Sequence, residues 1–155
     1  SLLRYKFARY RSYAPCYGRL LAMKLQTAGF DDFDVLTWVP VSRLRRMKRG
    51  FDQVELLAKE VALQLGVQAL PSLKKIRHTP PQSTLSTAAQ RRANVLGAYA
   101  AIDPECIREK RVLLLDDIIT TGATVSECAQ TLLVAGAGEV RCAAIAVASH
   151  EHKSK

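Results

Sequence analysis

The chain has 155 residues, 48% of them apolar and 24% charged, which suits one folded domain with a full hydrophobic core and leaves little room for a second. No apolar run approaches the ~20 residues of a membrane-spanning helix, and the start, Ser1-Leu2-Leu3-Arg4, lacks the apolar stretch of a signal peptide; no membrane insertion and a cytoplasmic location are expected. The formal charge of +9 points to a polyanionic partner without choosing among nucleic acid, a membrane surface and a small phosphorylated ligand.

In chain order, Tyr5, Phe7, Tyr10 and Tyr13 alternate with Lys6, Arg9 and Arg11, a mix that can bind single-stranded nucleic acid by stacking and charge. Packing of the first helix on a sheet is its more ordinary account. That helix is predicted over residues 17–25. Residues 34–40 read as a strand ended by Pro40, with Trp38 in the core. A basic loop over 41–50 leads into a helix over 51–65, whose Val54, Leu57, Ala58, Val61 and Leu65 share one face. The middle is predicted as two short strands, near 73–77 and 95–100, around a long polar loop holding Pro80, Pro81 and Gln82. Val112-Leu113-Leu114-Leu115 has the continuous apolar character of a parallel strand buried on both faces. A Thr/Gly-rich turn follows, then a helix carrying Val125, Ala129, Leu132 and Leu133 that Gly136 and Gly138 stop. Residues 140–148 return as an apolar strand, and 150–155 form a polar tail. Strand, loop, helix and strand in this order imply a right-handed parallel crossover. The scattered Cys16, Cys106, Cys128 and Cys142 include no Cys-x-x-Cys pair, which argues against a zinc ribbon and for reduced thiols.

The chemistry concentrates in residues 112–124. A buried strand delivers Asp116 and Asp117 at its carboxyl end, where open α/β sheets place their ligands. The turn that follows offers the hydroxyls of Thr120, Thr121 and Thr124, and Gly122 lets it turn tightly. Together with Ala123 these residues open a helix, whose first N–H groups form a phosphate seat. The carboxylates cannot hold phosphate; they suit a vicinal diol, or Mg²⁺ bound through water. Phosphate on one side and a diol on the other describe a ribose 5-phosphate. No Gly-x-x-x-x-Gly-Lys-Ser/Thr is present, and Gly136-Ala137-Gly138 follows a helix rather than a strand, so P-loop and dinucleotide-binding motifs are excluded.

Residues 112–124 resemble the phosphoribosyl pyrophosphate (PRPP) signature of type I phosphoribosyltransferases. The wider pattern is similar to one branch of them, the ComF family of competence proteins. It is carried by Val39-Pro40 with Lys48-Arg49-Gly50-Phe51-Asp52-Gln53, by Thr79-Pro80-Pro81-Gln82-Ser83, and by Arg91-Arg92-Ala93-Asn94-Val95 before Gly97-Ala98-Tyr99. Asp52 departs from the Asn usual in that family. Many members begin with a zinc ribbon, for which this sequence has no cysteine pairs.

The resemblance implies an α/β fold, a three-layer, Rossmann-like parallel β-sheet with flanking helices and a small hood, in a single domain over residues 1–149. It implies PRPP bound with Mg²⁺: the 5-phosphate on Thr120, Thr121, Gly122, Ala123 and Thr124, and the ribose and metal on Asp116 and Asp117. Pyrophosphate would lie on the loop after the first strand, at the Val41 and Ser42 amides and Arg49. A flexible loop over 79–92 would close on the ligand through Gln82, Arg91 and Arg92. The expected activity is phosphoribosyl transfer to an unidentified nitrogen acceptor. This chemistry needs charge stabilisation more than a strong base, so the absence of an obvious catalytic histidine is no objection. The alternatives are a competence accessory protein that binds single-stranded DNA and a non-catalytic PRPP sensor. A homodimer is left open.

Overall fold

The short apolar runs of the sequence become the strands of one parallel sheet. The computed structural model describes residues 13–41, 47, 52–80 and 84–147. Its strands are β1 (Val35–Trp38), β2 (Gln68–Ala69), β3 (Leu73–Lys75), β4 (Tyr99–Ala101), β5 (Arg111–Ile119) and β6 (Glu139–Val147). Its α-helices are α1 (Ala14–Thr27), α2 (Gln53–Leu65), α3 (Ala88–Val95) and α4 (Ala123–Val134). The main sheet has the order β2-β1-β5-β6 with every pair parallel, so β2 and β6 are its edges. β3 and β4 form a separate antiparallel ribbon.

All four residues of β1 are buried, as are Val112 to Leu115 of β5, because helices cover both faces of the sheet. On one face, Ala22 and Leu25 of α1 and Leu57, Ala58 and Val61 of α2 pack on Leu36, Trp38, Leu113 and Leu115. On the other, Cys128 and Leu132 of α4, Val95 of α3 and Tyr99 of β4 pack on Val112 and Leu114. This is the expected three-layer α/β arrangement. Trp38 is core, 6% exposed. Among the described residues no helix is long and apolar enough to cross a membrane.

The crossovers from β1 and β5 diverge. From β1 the chain passes through α2 on one face to β2; from β5 it passes through α4 on the opposite face to β6. The boundary between β1 and β5 is therefore a topological switch point, the place where open α/β sheets put their ligands. Their carboxyl ends stay in register: Trp38 pairs with Leu115, and the next amide, Val39 N–H, donates to the Leu115 carbonyl at 2.9 Å. At the opposite end Arg111 binds Asp34 through its backbone N–H at 2.9 Å and its Nη2 at 2.9 Å. These hydrogen bonds hold the Asp34 carboxyl down at about 2.

Three expectations are corrected. Residues 88–95 are helical, not open loop, and the second short strand begins at Tyr99 rather than near Val95. The cause is a capping box: Thr87 Oγ1 accepts from Gln90 N–H at 3.1 Å, and Gln90 Oε1 accepts from Thr87 N–H at 3.3 Å. β5 continues past Leu115 to Ile119, so the acidic pair lies inside the strand. The two-residue β2 was not anticipated; such a short strand exists by pairing with β1, not by its own pattern.

Leu114 is fully buried between the sheet and α4. Leu114→Ala should lower unfolding stability by about 2–5 kcal/mol, read as a shifted denaturant midpoint with an unchanged slope. A loss under 1 kcal/mol, roughly that of a surface change, would contradict the packing described.

Candidate phosphate and ribose site

Burial along β5 ends at Leu115, and Asp116 and Asp117 are half-buried. Each carboxylate accepts the amide that follows it: Asp117 N–H donates to Asp116 Oδ1 at 2.8 Å, and Ile118 N–H donates to Asp117 Oδ1 at 2.7 Å. The partners in β6 run from Asp116–Ala144 to Ile118–Ala146 and skip Asp117. Side-chain alternation breaks here as well. Val112 and Leu114 face α4 and Leu113 and Leu115 the other layer, yet Ile119 lies again on the α4 side. The two acids thus sit where the strand loses its regular pleat. Asp116 is on the α4 side, since its charge adds to the burial that raises the thiols of Cys128 and Cys142.

The turn after β5 leads directly into α4. Thr120 is exposed, Thr121, Gly122 and Thr124 are half-buried, and Ala123 is buried. Gly122 has φ 77°, a left-handed conformation that a side chain would strain, and its carbonyl accepts the first helical bond from Ser126 N–H at 2.8 Å. With glycine at the N-cap, α4 has no side-chain cap and no acid in its first turn. Ala123 N–H meets Thr121 Oγ1 only at 3.4 Å. By contrast Asp52 caps α2 and Thr87 caps α3. The start of α4 is thus built to receive an anion from outside the helix.

The other sequence-derived residues are placed unevenly. Val41 follows β1 at the switch point, but its N–H is directed at Asp52 Oδ2, 3.4 Å away. Ser42, Arg49 and Gln82 lie outside the described residues, as do Tyr5, Phe7 and Tyr10. Arg91 is half-buried and its Nε donates to the Leu85 carbonyl at 3.1 Å, holding the preceding loop against α3; Arg92 is exposed. The structure therefore brings together Asp116, Asp117, the 120–124 turn and the Val41 end of the first loop, and it uses Arg91 within the hood. His78 is exposed.

Two residues escaped the sequence reading. Lys75 on β3 lies 5.5 Å from the Tyr99 ring centroid and donates to Thr79 Oγ1 at 2.7 Å. Its charge also reaches Cys128, on the face that carries Asp116. Nothing in the sequence brings Lys75 near Tyr99; the antiparallel register does. Asp52 is 5% exposed and accepts Val54 N–H at 2.9 Å and Glu55 N–H at 3.2 Å besides Val41. An acid immediately before an apolar helical run was the available signal for this cap. Burial pushes its carboxyl above the usual range, against the three amides that draw it down.

A divalent cation fits the donor set. Two adjacent carboxylates, Asp116 and Asp117, supply hard oxygen ligands. That suits Mg²⁺, which takes one or two carboxylates and completes its shell with water and ligand phosphates.

A buried parallel sheet, a switch point, and an acidic pair leading into a helix start make up an α/β domain of the phosphoribosyltransferase type. The chain belongs to the phosphoribosyl transferase domain family, whose model matches residues 55–155. Among its relatives is competence protein F of Haemophilus influenzae, 34% identical over 105 residues that cover 66% of this chain and 45% of that protein. The DNA utilization protein YhgH of Escherichia coli is 33% identical over 141 residues, covering 88% of this chain and 61% of that protein. The chain thus spans about half to three fifths of the curated relatives it matches, and these are of the competence branch that the flanking motifs indicate. Among solved structures, glutamine PRPP amidotransferase from B. subtilis, complexed with ADP and GMP, aligns with a TM-score of 0.59 and 25% identity over 87% of this chain and 26% of that one.

The raised pKa of Asp52 has a sign. The fold favours its protonated form, so stability is greatest below the ordinary value of 3.8 and is lost as pH rises through the raised folded-state value. Asp52→Asn, which keeps an oxygen for the α2 cap, should melt at a higher temperature than wild type at pH 7, with the difference shrinking below about pH 4. A lower melting temperature for the variant at neutral pH would show that the ionised carboxylate is net stabilising.

Proposed function

We propose that the chain binds PRPP, or a close sugar-phosphate relative, with Mg²⁺ at the switch point and transfers its phosphoribosyl group to a nitrogen acceptor. The observation that carries this reading is the acidic pair of β5 followed by the uncapped start of α4. The N–H groups and hydroxyls of Thr120, Thr121, Gly122, Ala123 and Thr124 hold the 5-phosphate, aided by the positive end of the helix dipole. Asp116 and Asp117 accept hydrogen bonds from the two ribose hydroxyls and hold the metal, directly or through water. When bound, Mg²⁺ supplies positive charge against the pyrophosphate oxygens.

The reaction breaks the bond from ribose C1 to pyrophosphate and forms one from C1 to the acceptor nitrogen, through an oxocarbenium-like transition state. The protein's part is to hold the reacting groups in line and to offset charge as it develops. Val41, Ser42 and Arg49 are the groups of the first loop for the departing pyrophosphate. The hood residues Gln82, Arg91 and Arg92 shelter the cationic ribose from water. Membership of the phosphoribosyl transferase domain family and likeness to a PRPP amidotransferase support the ligand class. The four cysteines are free, which supports a reducing, cytoplasmic setting.

Calorimetric titration of PRPP with Mg²⁺ should show binding to the wild type and loss of at least about tenfold in affinity for the Asp116→Asn/Asp117→Asn variant. Undiminished binding by the variant would refute the site. Pyrophosphate release with a panel of nitrogen acceptors then separates an enzyme from a sensor, which binds PRPP and releases nothing.

A second reading, a protein that handles single-stranded DNA, has its own support. From residue 61 to 102 there is no acid, while Lys74, Lys75, Arg77, Arg91 and Arg92 lie there, so the hood is wholly cationic. Lys74 and Arg92 are exposed on it. The name of one relative, the DNA utilization protein YhgH, points to the same polymer. Single-stranded DNA should bind with an affinity that falls steeply with salt, and Lys74→Glu/Arg92→Glu should weaken it and flatten the salt slope by about two. A slope unchanged in that variant would remove the hood from the interface.

A further inference from the structure

Lys75 is a charged residue on the inner face of the β3–β4 ribbon. Along β3 Leu73 is buried, Lys74 exposed and Lys75 half-buried, so alternation turns Leu73 and Lys75 inward and Lys74 out. The register pairs Lys75 with Tyr99, which is 7% exposed and belongs to the core that includes Ala123, Val125 and Cys128 of α4. The ammonium is held in place: Nζ donates to Thr79 Oγ1 at 2.7 Å and lies 5.5 Å from the centre of the Tyr99 ring. Thr79 is itself buried and opens the Thr-Pro-Pro-Gln run of the sequence. An apolar side chain would fill an inward position without the cost of desolvating a charge, so packing alone does not account for a lysine here.

The ribbon is fastened beside the first half of α4, since Gly97 N–H, two residues before β4, donates to Glu127 Oε1 at 2.7 Å. Asp116 comes to the same part of that helix from the sheet. Burial raises the Cys128 thiol, the Asp116 charge adds to the rise, and the Lys75 charge opposes it. Carboxylate and ammonium therefore reach the first half of α4 from two different layers, and the turn of residues 120–124 leads into that half. The acids suit a diol or a metal, whereas a cation calls for an oxyanion. We infer that Lys75 is a specificity-determining residue that receives an anionic oxygen of the ligand held at the start of α4. The inference rests on reading that start as the sugar-phosphate seat. Two groups offer such an oxygen: the diphosphate of PRPP, and a carboxylate on the nitrogen acceptor. A charge-assisted hydrogen bond from a half-buried ammonium is stronger than one made in open water. Thr79 and Tyr99 fix the ammonium in advance, so little side-chain freedom is lost when the oxygen arrives.

The test uses the complete chain with Mg²⁺, as wild type, Lys75→Met and Lys75→Arg. Lys75→Met keeps an unbranched stem against Tyr99 and removes the charge, and Lys75→Arg restores the charge; thermal melts confirm folding, and Lys75→Gln replaces Lys75→Met if the latter does not fold. In one arm PRPP and ribose 5-phosphate are titrated separately. In the other, protein saturated with ribose 5-phosphate is titrated with pyridine-3-carboxylate against pyridine-3-carboxamide, and with 2-aminobenzoate against aniline. If the oxygen is the donor's, the neutral variant binds PRPP at least about tenfold more weakly and ribose 5-phosphate as before. If it is the acceptor's, wild type prefers the carboxylates and the neutral variant loses that preference. In both cases Lys75→Arg recovers part of the effect, a rescue that a packing role would not produce. A neutral variant that changes neither arm overturns the inference, as does an equal loss for every probe or an Lys75→Arg variant as impaired as the neutral one. Any of these results with wild type binding ribose 5-phosphate leaves the phosphate seat standing. Wild type that binds neither PRPP nor ribose 5-phosphate refutes the seat and the inference together.

Discussion

The parallel pairing of β1 with β5 is the constraint from which the rest of the molecule follows. Val35 to Trp38 lie against Val112 to Leu115, every one of these side chains is buried, and the ladder continues through Val39 N–H to the Leu115 carbonyl. Apart from Thr37, whose Oγ1 accepts the Ser72 N–H at 3.2 Å, apolar residues occupy the register because helices cover both faces, so charged chemistry begins only where the register ends. It begins there on both strands at once. β5 delivers Asp116 and Asp117, and β1 delivers Val41 and the basic loop. α2 and α4 then lie on opposite faces of the sheet.

α4 ties this end of the sheet to the second, smaller layer of structure. Its start faces the acidic pair, while Glu127 accepts the Gly97 N–H at 2.7 Å and so fastens the turn between α3 and β4. Cys128, one residue on, is fully buried in the core under the sheet, where burial raises its thiol, Asp116 adds to the rise and Lys75 opposes it. A single helix therefore carries the Thr/Gly turn of residues 120–124 at its start and the anchorage of the hood along its flank. Displacement of the hood would be felt by α4, and α4 is fastened to the sheet by Leu132 and Cys128 in the same core.

Much of this was legible in the sequence. The buried runs at Val35 and Val112 and the acid–threonine–glycine order from Asp116 to Thr124 are local signals, and local signals specify a parallel strand, a turn and a helix start. A parallel crossover followed from them, and the three-layer class from the family resemblance they carry. What stayed hidden depended on partners distant in the chain. β2 is a strand only because Leu36 offers it a ladder, and the extension of β5 to Ile119 reflects pairing with β6 beyond the apolar run. Helix α3 is a different case: Thr87 and Gln90 are a local capping signal, overlooked because proline and small polar residues just before them suggest a loop. The destination of the Val41 amide was also hidden, since no pattern in the sequence pairs it with a carboxylate eleven residues away.

The two edges of the main sheet are very unequal. Among the described residues β2 offers two residues of edge and β6 offers nine, the latter rich in Ala, Ile and Val. Short edges resist further pairing, while long apolar ones invite it. The architecture is thus polar in the sense of growth: any additional strand, from this chain or another, has a full-length template on the β6 side and almost none on the β2 side. An extension at β6 would also lie beside Ala144 and Ala146, the partners of Asp116 and Ile118. Sheet enlargement and the chemistry of the acidic pair therefore share one flank of the molecule.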